Sequence, residues 1–181
     1  MLLKKINNII KDFKISLTEQ ELLELLQIRK RWPHKYLWGQ NTVEIISNQQ
    51  TCESIFFFKA DGYLDYEKWF DFYNLGYTTI ISNALDINKE LRHLNKILTN
   101  VTGLSICGNL YFSKPGQTPS FYKHKHDYDV IVKQIYGETE WFLNDKKFIL
   151  KPNDTCIIEK NMYHQVLNKQ DKKLSLTLNI T

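Results

Sequence analysis

The first part of the chain carries apolar residues at helical spacing. Over residues 1 to about 31 they recur every three or four positions, which predicts a helix that packs one face on the rest of the protein. Ser16 with Glu19, or Thr18 with Glu21, has the spacing of a capping box. In that motif a hydroxyl and a carboxylate three residues later satisfy the first free N–H groups of a helix.

The middle of the chain mixes short strands with helices. Two β-like runs are predicted at Thr42–Ile46 and Ser54–Phe58. An aromatic helix is expected over Asp65–Asn74, followed by a β-branched strand over Tyr77–Ser82. The last helix of this region is expected to begin after Asp86, whose carboxylate would cap its first turn.

From Leu104 onward the pattern changes to short strands separated by turns. Turn-forming residues stand at Lys114–Gln117, at Gly137 and at Asn144–Asp145. Many short strands at close spacing predict a β-sandwich or a barrel. The predicted strands are Leu104–Phe112, Phe121–Tyr136, Glu140–Leu143, Lys147–Leu150, Thr155–Ile158, His164–Asn168 and Leu174–Ile180.

Three histidines give this pattern a candidate chemistry. His124 and His126 are one residue apart in a predicted strand, so both imidazoles can point to one side while Lys125 faces away. His164 begins a later predicted strand. Three imidazoles that converge from one side would hold a metal ion and leave its other positions open for water, oxygen or substrate. The alternative is a pair of surface histidines in a lysine-rich strand.

Composition places the chain among ordinary globular proteins. It has 181 residues, of which 43% are hydrophobic and 24% charged, which fits one domain with a substantial core. The net charge of +4 is spread over scattered lysines, so nucleic-acid binding is not expected. The sequence shows no signal peptide, no membrane span and no CxxC pair, which predicts a cytoplasmic protein without a disulfide framework.

The C-terminal part resembles the metal-binding cupins. The segment Lys151–Asn168 resembles the second cupin motif, in which an aspartate-bearing turn leads through a strand and a second turn to a metal-binding histidine. In this sequence the motif positions are Asp154, Asn161 in place of the usual glycine, His164, and Asn168 four positions later.

Upstream segments narrow the resemblance to the JmjC-type cupins. The run Asn109–Gly116, then His124, Tyr128–Gly137 and Trp141, is similar to that group, and most similar to its bacterial branch related to ribosomal-protein hydroxylases. The resemblance covers roughly residues 62–181 and implies a mainly β fold with flanking helices, namely a double-stranded β-helix of the cupin or jelly-roll type.

The same resemblance implies a domain organisation. Residues 1–181 are expected to form a single JmjC-like cupin domain. Within it, residues 62–181 would be the cupin core and residues 1–61 an N-terminal extension of helices and short strands. Extra helices in JmjC relatives often mediate dimerisation, so a homodimer is one expectation for this extension.

The resemblance also implies a chemistry, with one departure. In the JmjC family Fe(II) is held by His-x-Asp/Glu and a distal histidine, and 2-oxoglutarate is the cosubstrate for hydroxylation. By position the two histidines are His124 and His164, but His126 replaces the carboxylate. Three neutral imidazoles leave the ion its full double charge. Such sites also occur in cupin enzymes that bind substrate directly, and with other divalent metals.

The anchor for 2-oxoglutarate is a second departure. The family places a Lys or Arg on the strand after the turn at Gly137, where this sequence has Glu138–Trp141. Acidic side chains there would repel a dicarboxylate. Replacement cations are Lys173, which with Ser175 resembles an Arg-x-Ser anchor, or Lys133. The predicted cosubstrate-contacting residues are Tyr111, Lys133, Lys173, Ser175 and Asn179.

Asp127, Asp129 and Cys156 are further candidate ligands near the histidines. Asp127 would supply a carboxylate only if its side chain turned toward the histidine face, and Asp129 is expected to have a structural role. Cys156 would bind the ion only if it shared a face and a level with His164.

These observations lead to one expected function and two alternatives. The expected function is a non-haem Fe(II) oxygenase that oxidises a peptide or protein side chain or a small molecule, with or without 2-oxoglutarate. The first alternative is a three-histidine metal cupin that does not use 2-oxoglutarate, either a direct dioxygenase or an isomerase with another divalent metal. The second is a catalytically silent cupin that binds a small molecule or peptide.

Overall fold

A computed structural model describes residues 2–27, 43–53, 56–115, 119–144, 146–168 and 171–180. The helices in these ranges are α1 (Leu2–Asp12), α2 (Glu19–Gln27), α3 (Tyr66–Asn74) and α4 (Lys89–Thr102). The strands are β1 (Val43–Ser47), β2 (Gln50–Thr51), β3 (Thr78–Ile81), β4 (Cys107–Ser113), β5 (Asp129–Tyr136), β6 (Thr139–Leu143), β7 (Lys146–Leu150), β8 (Thr155–Ile158), β9 (His164–Leu167) and β10 (Lys173–Ile180).

The strands form two antiparallel sheets. The larger sheet has the order β2-β1-β3-β4-β10-β5-β8, and the smaller has the order β7-β6-β9. Strand β1 pairs with β3, so the predicted N-terminal extension contributes a strand to the larger sheet. The predicted class, mainly β with flanking helices, is confirmed.

The two faces of the larger sheet have different environments, which alternation along its strands explains. On β10, Leu174, Leu176 and Leu178 join the main hydrophobic core together with the helices. On β5, Val130 and Val132 point the other way, into a smaller cluster that includes side chains of the second sheet. One face is therefore covered by helices, and the other faces the second sheet across an interior space.

The predicted N-terminal helix is broken into two. Helix α1 ends at Asp12 and α2 begins at Glu19. The capping box of Thr18 and Glu21 is confirmed, because the Thr18 N–H and hydroxyl each donate to the Glu21 carboxylate at 2.8 Å, while the Glu21 N–H donates back to the Thr18 hydroxyl at 3.2 Å. Ser16 instead donates its N–H to the Glu90 carboxylate at 2.9 Å. This hydrogen bond links the segment between α1 and α2 to α4.

Other predicted boundaries also require correction. The N-cap of α4 is Asn88, whose side-chain oxygen accepts from the Leu91 N–H at 2.8 Å, whereas Asp86 lies in a preceding 3-10 turn. Of the run predicted at Ser54–Phe58, Ser54 and the residue after it lie outside the described residues, and Phe58 forms only an isolated bridge with Leu64. None of the described helices is long and apolar enough to cross a membrane.

The strand predicted over Phe121–Tyr136 is shorter than expected. Strand β5 begins at Asp129, and the histidine-bearing segment before it is irregular except for one bridge, between His124 and His164. The Asn144 turn lies between β6 and β7 as predicted, with Asn144 at φ 50°, while its neighbour Asp145 lies outside the described residues.

Candidate metal centre

His124 and His164 face each other across a two-way backbone bridge. The His124 N–H donates to the His164 carbonyl at 3.0 Å, and the His164 N–H donates to the His124 carbonyl at 2.8 Å. Residues that exchange both hydrogen bonds in an antiparallel pair carry their side chains on the same face. The two imidazole centroids are accordingly 4.2 Å apart.

His126 completes a cluster of three imidazoles. It lies two residues after His124, and its ring centroid is 4.9 Å from those of both His124 and His164. One nitrogen of each ring lies within 4.8 Å of the other two, which brings the three predicted ligands to one point. Imidazole nitrogens are the commonest protein ligands of divalent transition metals, so the donor set fits such an ion.

Backbone carbonyls orient two of these rings. The Nδ1 atom of His124 is 2.7 Å from the Tyr122 carbonyl, and the Nδ1 atom of His164 is 3.2 Å from the Met162 carbonyl. A carbonyl only accepts, so Nδ1 carries the proton and the lone pair of Nε2 is left for a metal ion. Contacts of this kind fix both the tautomer and the orientation of a metal-binding histidine.

Burial favours the neutral form of two of the imidazoles, those of His164 and His126. It lowers the pKa of the His164 imidazole to about 4, because the charged form is desolvated there. Burial and the neighbouring His124 also lower the pKa of His126. Protons therefore compete weakly with a metal ion for the nitrogens of these two imidazoles, which suits the cluster to metal binding at neutral pH.

Within the described residues, neither a carboxylate nor a thiolate belongs to this cluster. Asp127 is exposed, and Asp129 accepts a hydrogen bond from the Lys160 N–H at 2.8 Å, which gives it the expected structural role. The Cys156 thiol lies 3.6 Å from the Ile157 carbonyl, and burial raises its pKa to about 11. The structure therefore offers an ion three nitrogens.

A cavity of about 170 Å³ lies against the cluster and opens to solvent. Its lining contains no Asp or Glu among the described residues. Besides the three histidines, the wall includes four of the predicted cosubstrate-contacting residues, namely Tyr111, Lys173, Ser175 and Asn179.

Lys173 is the cation of this cavity. Its side chain is buried, with 6% exposure, and it has neither a hydrogen bond nor an ion pair with any described residue. Burial lowers the pKa of the ammonium to about 8. A buried cation without a partner is costly, so this position is prepared for an anionic group of a ligand.

The neighbours of Lys173 on the same face are polar and neutral. Burial, followed by the nearby Tyr128, raises the pKa of Tyr111 to about 12, so its phenol stays protonated. The Ser175 hydroxyl donates to the side-chain oxygen of Gln134 at 2.7 Å. Asn179 lies farther along the same strand face.

Lys133, which the sequence predicts as a cosubstrate-contacting residue, does not face the cavity. Its ammonium donates to the carbonyls of Ile10 and Lys11, at 2.9 and 3.2 Å, on the helix-covered side of the sheet. Alternation along β5 explains the placement, because Lys133 lies between the inward residues Val132 and Gln134. Lys133 therefore ties α1 to the sheet and does not reach the cavity.

Glu140, in the acidic stretch after Gly137, does not face the cavity. Its carboxylate is 2.7 Å from the Lys147 ammonium on β7. Its neighbour Trp141 lines the cavity instead, because successive strand residues point to opposite faces. The expectation that Glu140 would repel a dicarboxylate in the cavity is therefore wrong.

Two other positions of the second cupin motif, Asn161 and Asn168, hold the backbone around the histidines in place. Asn161 adopts φ 64°, the left-handed conformation for which the motif usually has glycine, and its N–H donates to the His126 carbonyl at 2.6 Å. The Asn168 amide donates to the Ser113 hydroxyl at 3.1 Å and to the Lys114 carbonyl at 2.9 Å, which holds the end of β9 on β4.

Sequence reasoning missed two residues beside the site, Gln134 and Thr139. Both side chains are buried, and both belong to a hydrogen-bonded group behind the cavity wall. The available signal was Gln134 itself, a polar residue in the middle of the β-branched run before Gly137.

Solved structures share this fold. YcfD, a ribosomal oxygenase from Escherichia coli, matches with a TM-score of 0.63 and 14% identity over 94% of this chain and 45% of that one. The structure of the same oxygenase in complex with cobalt and succinic acid matches with a TM-score of 0.66 and 15% identity, again over 94% of this chain and 45% of that one. A cupin superfamily protein from Desulfitobacterium hafniense matches with a TM-score of 0.38 and 17% identity over 41% of this chain and 66% of that one.

The likeness to YcfD confirms the predicted fold class, a mainly β barrel of the jelly-roll type with flanking helices. No protein-family model matches the chain, and a search of curated proteins finds no match. The chain spans about half the length of the YcfD oxygenase, 45% of it.

Proposed function

We propose that this protein is a metal-dependent cupin oxygenase in which His124, His126 and His164 hold Fe(II). The observation that carries the proposal is the convergence of three imidazoles on the wall of one cavity. Bound Fe(II) would supply activation of O2 for attack on a substrate held in that cavity. The carbonyls that accept from Nδ1 of His124 and His164 orient two of the three ligands before any metal binds.

We further propose that 2-oxoglutarate binds in the cavity. Lys173 is a buried cation with no partner among the described residues, and Tyr111, Ser175 and Asn179 lie on the same wall. A divalent ion and Lys173 together would bring three positive charges into the cavity. Among the described residues that line it there is no Asp or Glu to balance them. A dicarboxylate would compensate most of that charge, with one carboxylate at Lys173 and the other at the metal end.

The substrate proposed here is a peptide or protein side chain or a small molecule. The comparison that supports it is YcfD, which is a ribosomal oxygenase and shares the fold over 94% of this chain. The residues that would shield the reaction from water are the aromatic side chains of the cavity wall, Phe121, Tyr128 and Trp141.

A second candidate is a three-histidine metal cupin that does not use 2-oxoglutarate. It is favoured by one observation, the absence of a carboxylate from the described ligand cluster. An ion held by three imidazoles keeps its full charge and can bind an anionic substrate directly. Lys173 would then hold the substrate itself.

The test is anaerobic titration of the purified protein with Fe(II), with and without 2-oxoglutarate, after elemental analysis. We expect one equivalent of Fe(II) to bind and a visible charge-transfer band to appear when the oxoacid is added. Binding of Fe(II) without that band, with turnover that releases no succinate, would support the second candidate. A protein that binds no divalent metal would be the silent binding module, and both enzyme proposals would then be wrong.

Histidine variants make the test specific. His124→Ala and His126→Ala each remove one imidazole from a partly exposed position, and we expect each to weaken metal binding about 100-fold. His93→Ala is the matched control, since His93 lies on α4 and contacts the ring of Phe13. Unchanged metal affinity in both cluster variants would show that the metal binds elsewhere.

A further inference from the structure

A buried group of hydrogen-bonded side chains connects two residues of the cavity wall, Ser175 and Trp141. It comprises Ser175 on β10, Gln134 on β5, and Thr139 and Trp141 on β6, and we call it the polar relay. All four side chains are buried, with exposures from 0 to 4%. The relay crosses from the larger sheet to the smaller one, so it links strands that belong to different sheets.

The direction of each hydrogen bond in the relay is fixed. The amide nitrogen of Gln134 donates to the Tyr136 carbonyl at 2.8 Å, so the other atom of the amide is an oxygen, which only accepts. That oxygen receives the hydroxyl protons of Ser175, at 2.7 Å, and Thr139, at 3.1 Å. The Thr139 oxygen can therefore accept from the indole N–H of Trp141, at 2.9 Å.

The far end of the relay rests against a metal ligand. The Trp141 ring lies nearly parallel to the His164 imidazole, with 6.3 Å between centroids and 22° between planes. Rotation of the indole about its own bonds would break its single hydrogen bond and leave a buried N–H unsatisfied. The hydrogen bond to Thr139 thus holds the face of the ring beside His164.

We propose that Gln134 and Thr139 are positioning residues that act on His164 through Trp141. This inference rests on the proposed metal centre and adds residues that touch neither metal nor ligand. The relay gives His164 a fixed neighbour on one side while the Met162 carbonyl orients its Nδ1 atom. Loss of the relay would let the indole turn and would loosen one of the three imidazoles.

The test uses Co²⁺ as the metal, because its visible spectrum reports ligand geometry without any turnover. Thr139→Val keeps the shape of the side chain and removes the hydroxyl. We expect it to weaken Co²⁺ binding about tenfold and to change the visible spectrum of the bound ion. Thr139→Ser keeps the hydroxyl, so affinity and spectrum should return to those of the parent.

Thr177→Val is the matched control, because Thr177 lines the same cavity but its hydroxyl lies 3.4 Å from the Asn109 carbonyl, outside the relay. We expect it to leave Co²⁺ binding unchanged. Trp141→Phe removes the indole N–H, so addition of Thr139→Val to that variant should have no further effect. This double variant also keeps the proposal testable if Thr139→Val alone fails to fold, since it leaves no indole N–H unsatisfied.

The outcomes separate this inference from the proposed function. If the parent protein binds no Co²⁺, the metal centre itself is wrong. If the parent binds Co²⁺ and folded Thr139→Val shows the same affinity and spectrum, the positioning role is wrong and the metal centre stands. A further loss when Thr139→Val is added to Trp141→Phe would likewise overturn the role of the indole.

Discussion

Lys133 and Lys173 are buried lysines on adjacent strands of one sheet, and they point to opposite sides of it. Lys133 donates to two carbonyls at the end of α1. Lys173 lines the cavity and has no partner among the described residues. Burial lowers the pKa of both ammonium groups, but among the described residues only Lys133 gains hydrogen bonds that offset the cost, so removal of the two charges should have opposite effects on stability.

Lys173→Met should stabilise the ligand-free protein. The pKa of Lys173 is lowered to about 8, so at pH 7 the folded protein carries a desolvated charge that the unfolded chain carries in water. Methionine keeps the length of the side chain without the charge. We expect the free energy of unfolding in urea to rise by about 1–3 kcal/mol. The same variant should lose binding of 2-oxoglutarate, and a fall in stability would show that the ammonium has a counter-charge.

Lys133→Met should have the opposite effect on stability. It would leave the carbonyls of Ile10 and Lys11 without their donor at a buried contact between α1 and β5. We expect the free energy of unfolding to fall by about 1–3 kcal/mol, with metal binding unchanged. Urea unfolding of both lysine variants under one set of conditions makes the comparison, and equal signs for the two would contradict the assignment of their faces.

The stability of the metal-free protein should depend on pH through His164. Its folded pKa is about 4, below the usual value near 6.5, so between these values the unfolded chain binds the proton that the folded protein excludes. Stability is therefore fully present above about pH 6.5 and is lost as the pH falls toward 4. We expect His164 to contribute on the order of 2 kcal/mol to this loss after solvent screening.

The measurement is urea unfolding at several pH values, for the parent protein and for His164→Gln. The variant has no titrating group at this position, so its stability should change less between pH 6.5 and 4. Identical pH profiles for the two proteins would show that His164 is not kept neutral by burial.

Gly137 should tolerate no side chain. Its φ is 71°, and a Cβ atom placed there would lie 2.0 Å from the Lys172 carbonyl oxygen. Gly137→Ala therefore combines backbone strain with a clash against backbone, and we expect a loss of at least about 3 kcal/mol in the free energy of unfolding. Gly103 has a similar φ of 70° but open space around it, so Gly103→Ala should lose only about 1 kcal/mol. Equal losses would assign the effect to φ alone.

Local patterns in the sequence determined several features of this protein. The spacing of His124 and His126 predicted that both imidazoles would share one side, and they do, although the segment that carries them is irregular and not a strand. The capping box of Thr18 and Glu21 was readable because its bonds join residues three apart. The turn before His164 was readable in the same way, with Asn161 in the left-handed conformation that the motif requires.

The tertiary structure decided which face each polar residue would occupy. Lys133 and Lys173 both interrupt buried strands, and the sequence offered both as cations for the cavity. Both faces of the larger sheet are covered, one by helices and one by the second sheet, so apolar residues on both faces hide the distinction. Glu140 lies on β6 in the smaller sheet, and it points away from the cavity toward Lys147 of β7. Strand pairing between residues far apart in sequence sets these faces, and it also creates the bridge between His124 and His164 that joins the third imidazole to the first two.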